Sequence, residues 1–257
     1  METILSFTAW PMARPNPYSP FHIIAALIGI LLSLYSARVL AKKTSFEKSS
    51  SSVLFCCGLV LAACELYKQA FLYFIVNSKS FDWWYFPFQL CSIPMYLCLL
   101  YPVVSSSYLR QILLTFLQDF GILGGIMALV EPSGLMHPYW TLTLHGFLWH
   151  FILIFLGLYC CFGRTLKPSL IEFLRTLPLF FLCCLIATII NVSVGPEGNA
   201  DMFYISPYYP CLQIVFHEIS LHVGIIPGNL IYLFSIPLGA GIIHYILWIA
   251  MRPTARQ

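Results

Sequence analysis

Six reactive side chains, Glu65, Lys68, Cys91, Asp119, His145 and His150, stand inside long apolar runs of a 257-residue chain, with the amides Gln69, Gln89 and Gln118 beside them. An ionisable group at the centre of a membrane helix costs ~2.5–3.5 kcal/mol on insertion scales, so each must face protein or water. Glu65 and Lys68 are three residues apart and can pair on one helix, which reduces that cost. Asp119 has no basic residue one turn away and needs Lys68, a histidine or a proton as its partner. A thiol, an imidazole and a carboxylate are the parts of a nucleophile, base and orienter chain. Cys91 is the nucleophile in such a chain, His145 or His150 the base, and Asp119 the orienting group. Pro94 lacks an N–H, so it is expected to free the carbonyl of Leu90 and bend the third apolar run next to Cys91. Each residue also has a plainer role: a structural ion pair for Glu65 and Lys68, satisfied core histidines, and a small residue at a kink for Cys91.

The elements that must position these groups are membrane helices. Hydrophobic residues make up 60% of the chain and charged residues 9%, against about 25% charged in a soluble domain. A water-soluble globule is excluded. Seven stretches reach spanning length: residues 22–41, 53–77, 84–104, 108–130, 140–163, 169–193 and 227–250. None shows the short alternating segments of a membrane barrel. The expected fold is all-α, a single polytopic bundle of seven transmembrane helices over residues 1–257. The first run is too long for a signal-peptide core and is expected to remain as the first helix. Residues 206–226 carry too many polar groups to cross cheaply and read as an outer interfacial helix. The serine run at residues 49–52 reads as a solvated connector.

In this scheme Glu65 and Lys68 fall near mid-depth on the second span, Gln89 and Cys91 in the outer half of the third, and Gln118 and Asp119 near the centre of the fourth. His145 and His150 fall in the outer half and middle of the fifth. The spacing therefore predicts one polar layer at mid to outer depth, with Glu172, Arg175 and His244 towards the cytoplasmic ends. Gly121 and Gly125 form a small-x-x-x-small pair suited to close helix packing.

Basic residues set the orientation, because Lys and Arg in short loops resist translocation. Arg38, Lys42, Lys43, Lys48, Arg110, Arg164, Lys167, Arg175, Arg252 and Arg256 fall on one side, while Arg14 and Lys79 fall on the other. The N-terminus is expected outside and the C-terminus in the cytoplasm, in the cell membrane. Trp10, Trp83, Trp84 and Trp140 at outer ends and Trp248 at an inner end agree with interfacial anchoring. A formal net charge of +3, spread along the chain, leaves no basic footprint for nucleic acid.

Several motifs fail on geometry. His217 and His222 flank Glu218 with one residue too many for H-E-x-x-H: a five-residue step turns the second imidazole about 140° away. The ten cysteines include no C-x-x-C, and adjacent ones point about 100° apart, so neither zinc nor a disulfide framework is expected. No G-x-S-x-G elbow or P-loop is present. No metal and no cofactor is expected.

The chain resembles the bacterial YwaF-like integral membrane family, which is distantly similar to an animal seven-span membrane phospholipid acyltransferase. The resemblance rests on Phe86-Pro87-Phe88-Gln89-Leu90-Cys91, on Gly124-Gly125-Ile126-Met127-Ala128-Leu129-Val130-Glu131-Pro132, on His145-Gly146 to His150, and on Asn199 followed by Met202, Phe203 and Pro207. It implies a seven-helix membrane fold and movement of fatty acyl chains between phospholipids. The animal relatives carry a cysteine one residue before a histidine in the third span; the matched positions here are Phe88 and Gln89. Cys91 lies three residues, about 300°, beyond Phe88, close to the same face if the segment is helical.

Two functional readings follow from the residues and the resemblance. In one, Glu65, Lys68, Gln69, Gln89 and Gln118 line a polar pocket that binds a small-molecule or lipid ligand without chemistry. In the other, Cys91 carries lipid acyl transfer or hydrolysis at the outer leaflet. Membrane lipids are the expected partners in both.

Overall fold

The computed structural model describes residues 2–43, 45–164 and 169–251; Lys167, Arg252 and Arg256 lie outside them. The described residues are helical, with no strand among them and one isolated bridge between Pro11 and Tyr139. In chain order the α-helices are α1 (Glu2–Ser6), α2 (Pro20–Lys43), α3 (Phe46–Phe71), α4 (Ile93–Leu100), α5 (Ser107–Val130), α6 (Trp140–Gly163), α7 (Leu170–Leu174), α8 (Leu177–Val194), α9 (Ile214–Val223) and α10 (Ile225–Ala250). Six helical stretches among them are long and apolar enough to cross a membrane: Pro20–Lys43, Phe46–Val76, Ser107–Val130, Trp140–Gly163, Leu170–Val194 and Ile225–Ala250.

The third apolar run differs from its expected form as one helix over 84–104. A short turn at Trp83–Tyr85 gives way to extended backbone, and helix resumes only over Leu90–Val103. Fourteen residues at 1.5 Å each reach about 21 Å, short of a hydrocarbon core of ~30 Å. Pro87 bars continuation from the outer end. Pro94 does not kink a running helix as expected: it lies in the first turn of α4, where its missing N–H is an unbonded one anyway. Pro178 likewise opens α8 after the break at Arg175 and Thr176, whereas Pro237 lies inside α10.

The serine run is also not a connector. α3 starts at Phe46, Ser50 is buried, and the Ser49 hydroxyl lies 3.0 Å from that of Tyr159 and bonds back to the Ser45 carbonyl at 2.8 Å. Serines can complete their hydrogen bonds within a first helical turn, and here a neighbouring helix adds a partner. Beyond α8, the segment expected at the interface is irregular up to Gln213 and then forms α9. Gly224, at φ +95°, turns the chain into α10, and Gly228 lets α10 pass against Ser220, where a Cβ would stand 2.2 Å from Oγ.

The bundle closes around α5 and α6, which pack antiparallel through glycines. A Cβ on Gly125 would stand 3.0 Å from the His150 carbonyl oxygen, and one on Gly157 would stand 2.9 Å from that of Gln118. Gly125 thus serves packing, as expected of a small-residue pair. Inward, a stack of Phe116, Phe120 and Phe180 fills the core. One end of the bundle gathers Arg38 over the Phe162 ring, Arg110 over Tyr101 and Arg175 over Tyr108. The other end carries Arg14, bonded to the Ser133 carbonyl, the Lys79–Glu2 pair, and Trp140, whose N–H reaches the Trp10 carbonyl.

Candidate functional site

The expected single polar layer is two clusters on different levels. The first lies towards the Trp140 end. Glu65 and Lys68 pair at 2.8 Å, and Gln69 one turn on donates to the same Glu65 carboxylate at 2.7 Å and to the Tyr85 carbonyl. Cys91, His145 and His150 lie within electrostatic reach of Lys68, so α3, the Leu90–Ser92 turn and α6 meet at this level. The Trp149 indole N–H donates to the Cys91 carbonyl at 2.9 Å, and the His145 ring lies 5.5 Å from the Trp149 ring.

The two histidines are held differently. Nδ1 of His150 lies 2.7 Å from the Gly146 carbonyl, which can only accept, so Nδ1 carries a proton. Nε2 of His145 is buried and has no hydrogen-bond partner among the described residues. Such an orphaned buried atom is rare enough to require an explanation. Because Gln89 is extended (φ −79°, ψ 162°), the helical reckoning that placed Cys91 on the face of Phe88 does not apply. The bond from Trp149 ties the Cys91 carbonyl to α6.

The second cluster contains two residues assigned to the first. Oδ2 of Asp119 lies 2.8 Å from Nδ1 of His244, and Oδ1 accepts from Gln118 at 2.8 Å. Arg164 donates to Gln118 and, at 2.8 Å, to the Thr115 hydroxyl. Gln118 is level with Gly157 on α6, seven residues and so about 10 Å from the level of His150. Asp119 therefore pairs with His244 and not with either histidine of the first cluster. Residue depth alone placed these groups too close, because it ignores which way each helix face turns.

Gln89 does not line the cluster as a free amide. It donates to the Asp201 carbonyl at 2.9 Å and accepts from the Phe203 N–H at 2.8 Å. Asn191 on α8 clasps Met202 in the same two-sided way, at 3.1 and 2.7 Å. Asn229 on α10 accepts from Cys211 N–H and donates to the carbonyls of Ser206 and Tyr209. Three amides from three elements thus pin residues 199–211 into the bundle, with Ala200, Met202, Phe203, Ser206 and Cys211 buried. Phe203 and Tyr204 are held at φ +60° and +56°, strained for side chains of that size. Asp201 is buried: Oδ1 accepts from Ser206 N–H at 2.9 Å, and Oδ2 has no partner among the described residues. Burial pushes its carboxyl up to about 7, against the smaller opposing pull of the Ser206 bond. Burial also pushes the Cys211 thiol up to about 12, so it is inert where it sits.

Asn191, Asn229, Asp201, Arg164 and His244 were not singled out from the sequence as site residues. The usable signal was an uncharged amide inside an apolar run, which marks backbone elsewhere that must be satisfied in a site without water. No group of three or more His, Cys, Asp or Glu suited to a metal occurs among the described residues, and His217 and His222 bond to the carbonyls of Cys211 and Glu218.

Helices of this length and apolarity, with ionisable groups turned inward, define a multi-pass integral membrane protein. The model of the TMEM164 family matches residues 17–248, and the chain belongs to that family. No curated protein and no solved structure matches it.

Proposed function

We propose that this TMEM164-family protein transfers or hydrolyses an acyl group of a membrane lipid at its Trp140-side polar cluster, with Cys91 as nucleophile and His145 as base. The observation that carries the reading is the orphaned Nε2 of His145, whose ring lies tilted beside the Trp149 ring, the N–H of which holds the Cys91 backbone. A buried nitrogen with no partner is suited to taking a proton from an incoming group. The Cys91 sulfur attacks the ester carbonyl while its proton passes to His145. The carbon–oxygen bond breaks, and His145 returns the proton to the departing glycerol oxygen. A second hydroxyl, from a lysophospholipid or water, then attacks the thioester; His145 takes its proton and delivers it to the leaving thiolate. Lys68 supplies a positive charge for the lipid phosphate or the carbonyl oxygen. The resemblance to the YwaF-like family and its animal acyltransferase relatives implies acyl transfer, but the cysteine and histidine positions of those relatives are Phe88 and Gln89 here, so Cys91 and His145 take the roles from different positions.

The same reading takes Leu90–Val103 as a short third crossing, giving seven crossings of the cell membrane with the N-terminus outside. Gathering of Arg38, Arg110, Arg164 and Arg175 at one end supports that orientation through the positive-inside tendency. The test is protein reconstituted in nanodiscs with a phospholipid carrying a labelled acyl chain and a lysophospholipid acceptor. Labelled thioester at Cys91, cleaved by hydroxylamine, and loss of transfer in Cys91→Ala are expected. Undiminished transfer by Cys91→Ala overturns the reading.

A second reading, binding of a small-molecule or lipid ligand without turnover, is favoured by the bonds already made. Lys68 is closed onto Glu65, Nδ1 of His150 is taken up by the Gly146 carbonyl, and Nε2 of His145 makes no hydrogen bond to the Cys91 sulfur. Saturable lipid binding that survives Cys91→Ala, with no thioester in the wild type, would select it.

A further inference from the structure

Away from both polar clusters, α2 and α6 leave a groove of about 460 Å³ between them. It runs from Phe21 and Trp140 at one end to Ser36 and Phe155 at the other. Its floor is the tight crossing of the two helices, where a Cβ on Gly29 would stand 2.1 Å from the Phe151 ring. Its walls include Leu32 and Leu148, both exposed.

We propose that this groove is a binding site for one extended long acyl chain, its polar head at the Trp140 end. The inference goes beyond the acyl-transfer reading and holds whether or not the Cys91 cluster turns over. Both walls are helices of membrane-spanning length, so the groove opens onto hydrocarbon and not onto water. Its lining is almost wholly apolar, and two of its few polar side chains are already satisfied: the Ser33 hydroxyl donates to the Phe151 carbonyl at 3.0 Å, and the Thr143 hydroxyl exchanges hydrogen bonds with His137 backbone. Between its two ends a headgroup or sugar would find few partners. Fifteen residues of helix from Phe21 to Ser36 span about 22 Å. At roughly 1.25 Å of advance per carbon in an extended chain, that length takes about 17 carbons. A leaflet is only ~15 Å deep, so the occupant must be long and straight, and the groove should discriminate against short chains. The Trp140 end suits the head because Trp10 and Trp140 meet there, as aromatic side chains do at a headgroup layer, with Arg14 anchored to Ser133.

The experiment is photo-crosslinking in nanodiscs made of phosphatidylcholine whose eighteen-carbon chain (about 22 Å extended) carries a diazirine either near the carbonyl or near the terminal methyl. The terminal probe should label peptides around Ser36 and Phe155, and the carbonyl-side probe those around Phe21 and Leu144. Ser36→Trp, at an exposed position, should cut terminal-probe labelling about ten-fold, as a filled hydrophobic subsite does, and leave carbonyl-side labelling intact. Cys91→Ala should label like the wild type, which separates this result from that of the transfer assay. Labelling spread evenly over α8 and α10 as well would mean ordinary annular lipid and would overturn the proposal. So would crosslinks between α2 of two copies with no lipid label in the groove.

Discussion

His244 and Asp119 share a single proton. Nε2 of His244 faces the Ser169 carbonyl at 3.0 Å and must donate to it, so the contact between Nδ1 and Oδ2 of Asp119, at 2.8 Å, holds one more proton between ring and carboxylate. With both side chains at 5% exposure or less, the pair is nearly sealed from solvent.

That sealing sets the first prediction. Removing one member leaves a buried polar or charged group uncompensated, so Asp119→Ala or His244→Ala should destabilise the protein by about 3–5 kcal/mol. Replacing both by alanine should cost less than the sum of the two single losses, with a coupling of about 1–3 kcal/mol in the double-mutant cycle. Reversible unfolding in detergent checks this. Additive losses would mean that the contact is not the source of the stability.

The two histidines of the outer cluster should separate in their effects. His145, whose Nε2 is orphaned, should be replaceable by Gln with little change in unfolding but with loss of thioester at Cys91. A general base contributes typically ~10²–10⁴-fold to rate. His150 is nearly fully buried and bonded to Gly146, so His150→Ala should destabilise the fold by about 2–4 kcal/mol through lost packing and an opened cavity. Equal losses of activity at equal stability would remove the distinction.

The amide clamp predicts a local effect. Gln89→Leu, Asn191→Leu and Asn229→Leu each strand at least two backbone groups of residues 199–211, at about 1–3 kcal/mol for each group left unsatisfied. Amide hydrogen exchange should rise across 199–211 in all three variants and stay unchanged in the Phe116–Phe120 region. Exchange that is unaltered in the loop would show that packing alone holds it.

Asp201 gives the pH dependence. Its carboxyl titrates near 7 when folded and near its ordinary value of 3.8 when exposed. A raised carboxyl favours the folded loop least when ionised, so the folded loop is undisturbed below pH 3.8 and is progressively weakened as pH rises to about 7. Hydrogen exchange of residues 199–211, corrected for the intrinsic rate, should therefore speed up as pH rises from about 4 to about 7 and level off above that. Asp201→Asn should flatten the profile. A profile in Asp201→Asn that matches the wild type would assign the pH response to another group.

Much of the outline was legible in the residue order. Apolar runs of spanning length, basic residues at alternate ends and the Glu65–Lys68 spacing are local properties, and each follows from what a helix in hydrocarbon must bury or pair. The break in the third run was partly legible as well, since Pro87 and Pro94 bracket it, although the position of Pro94 at a helix start and not a kink depends on where the backbone first turns.

Which groups meet was decided only by tertiary structure. The glycine contacts between α5 and α6 fix the rotation of both helices. That rotation turns Asp119 to His244 on α10 and leaves His145 towards Lys68 and Trp149. The loop at 199–211 carries polar backbone into the bundle, and its three amide partners come from elements separated in sequence by up to 140 positions, from residue 89 to residue 229. Depth along one helix is set by counting residues, but the direction of a side chain around that helix is set by what packs against it, and no single run of sequence contains that partner.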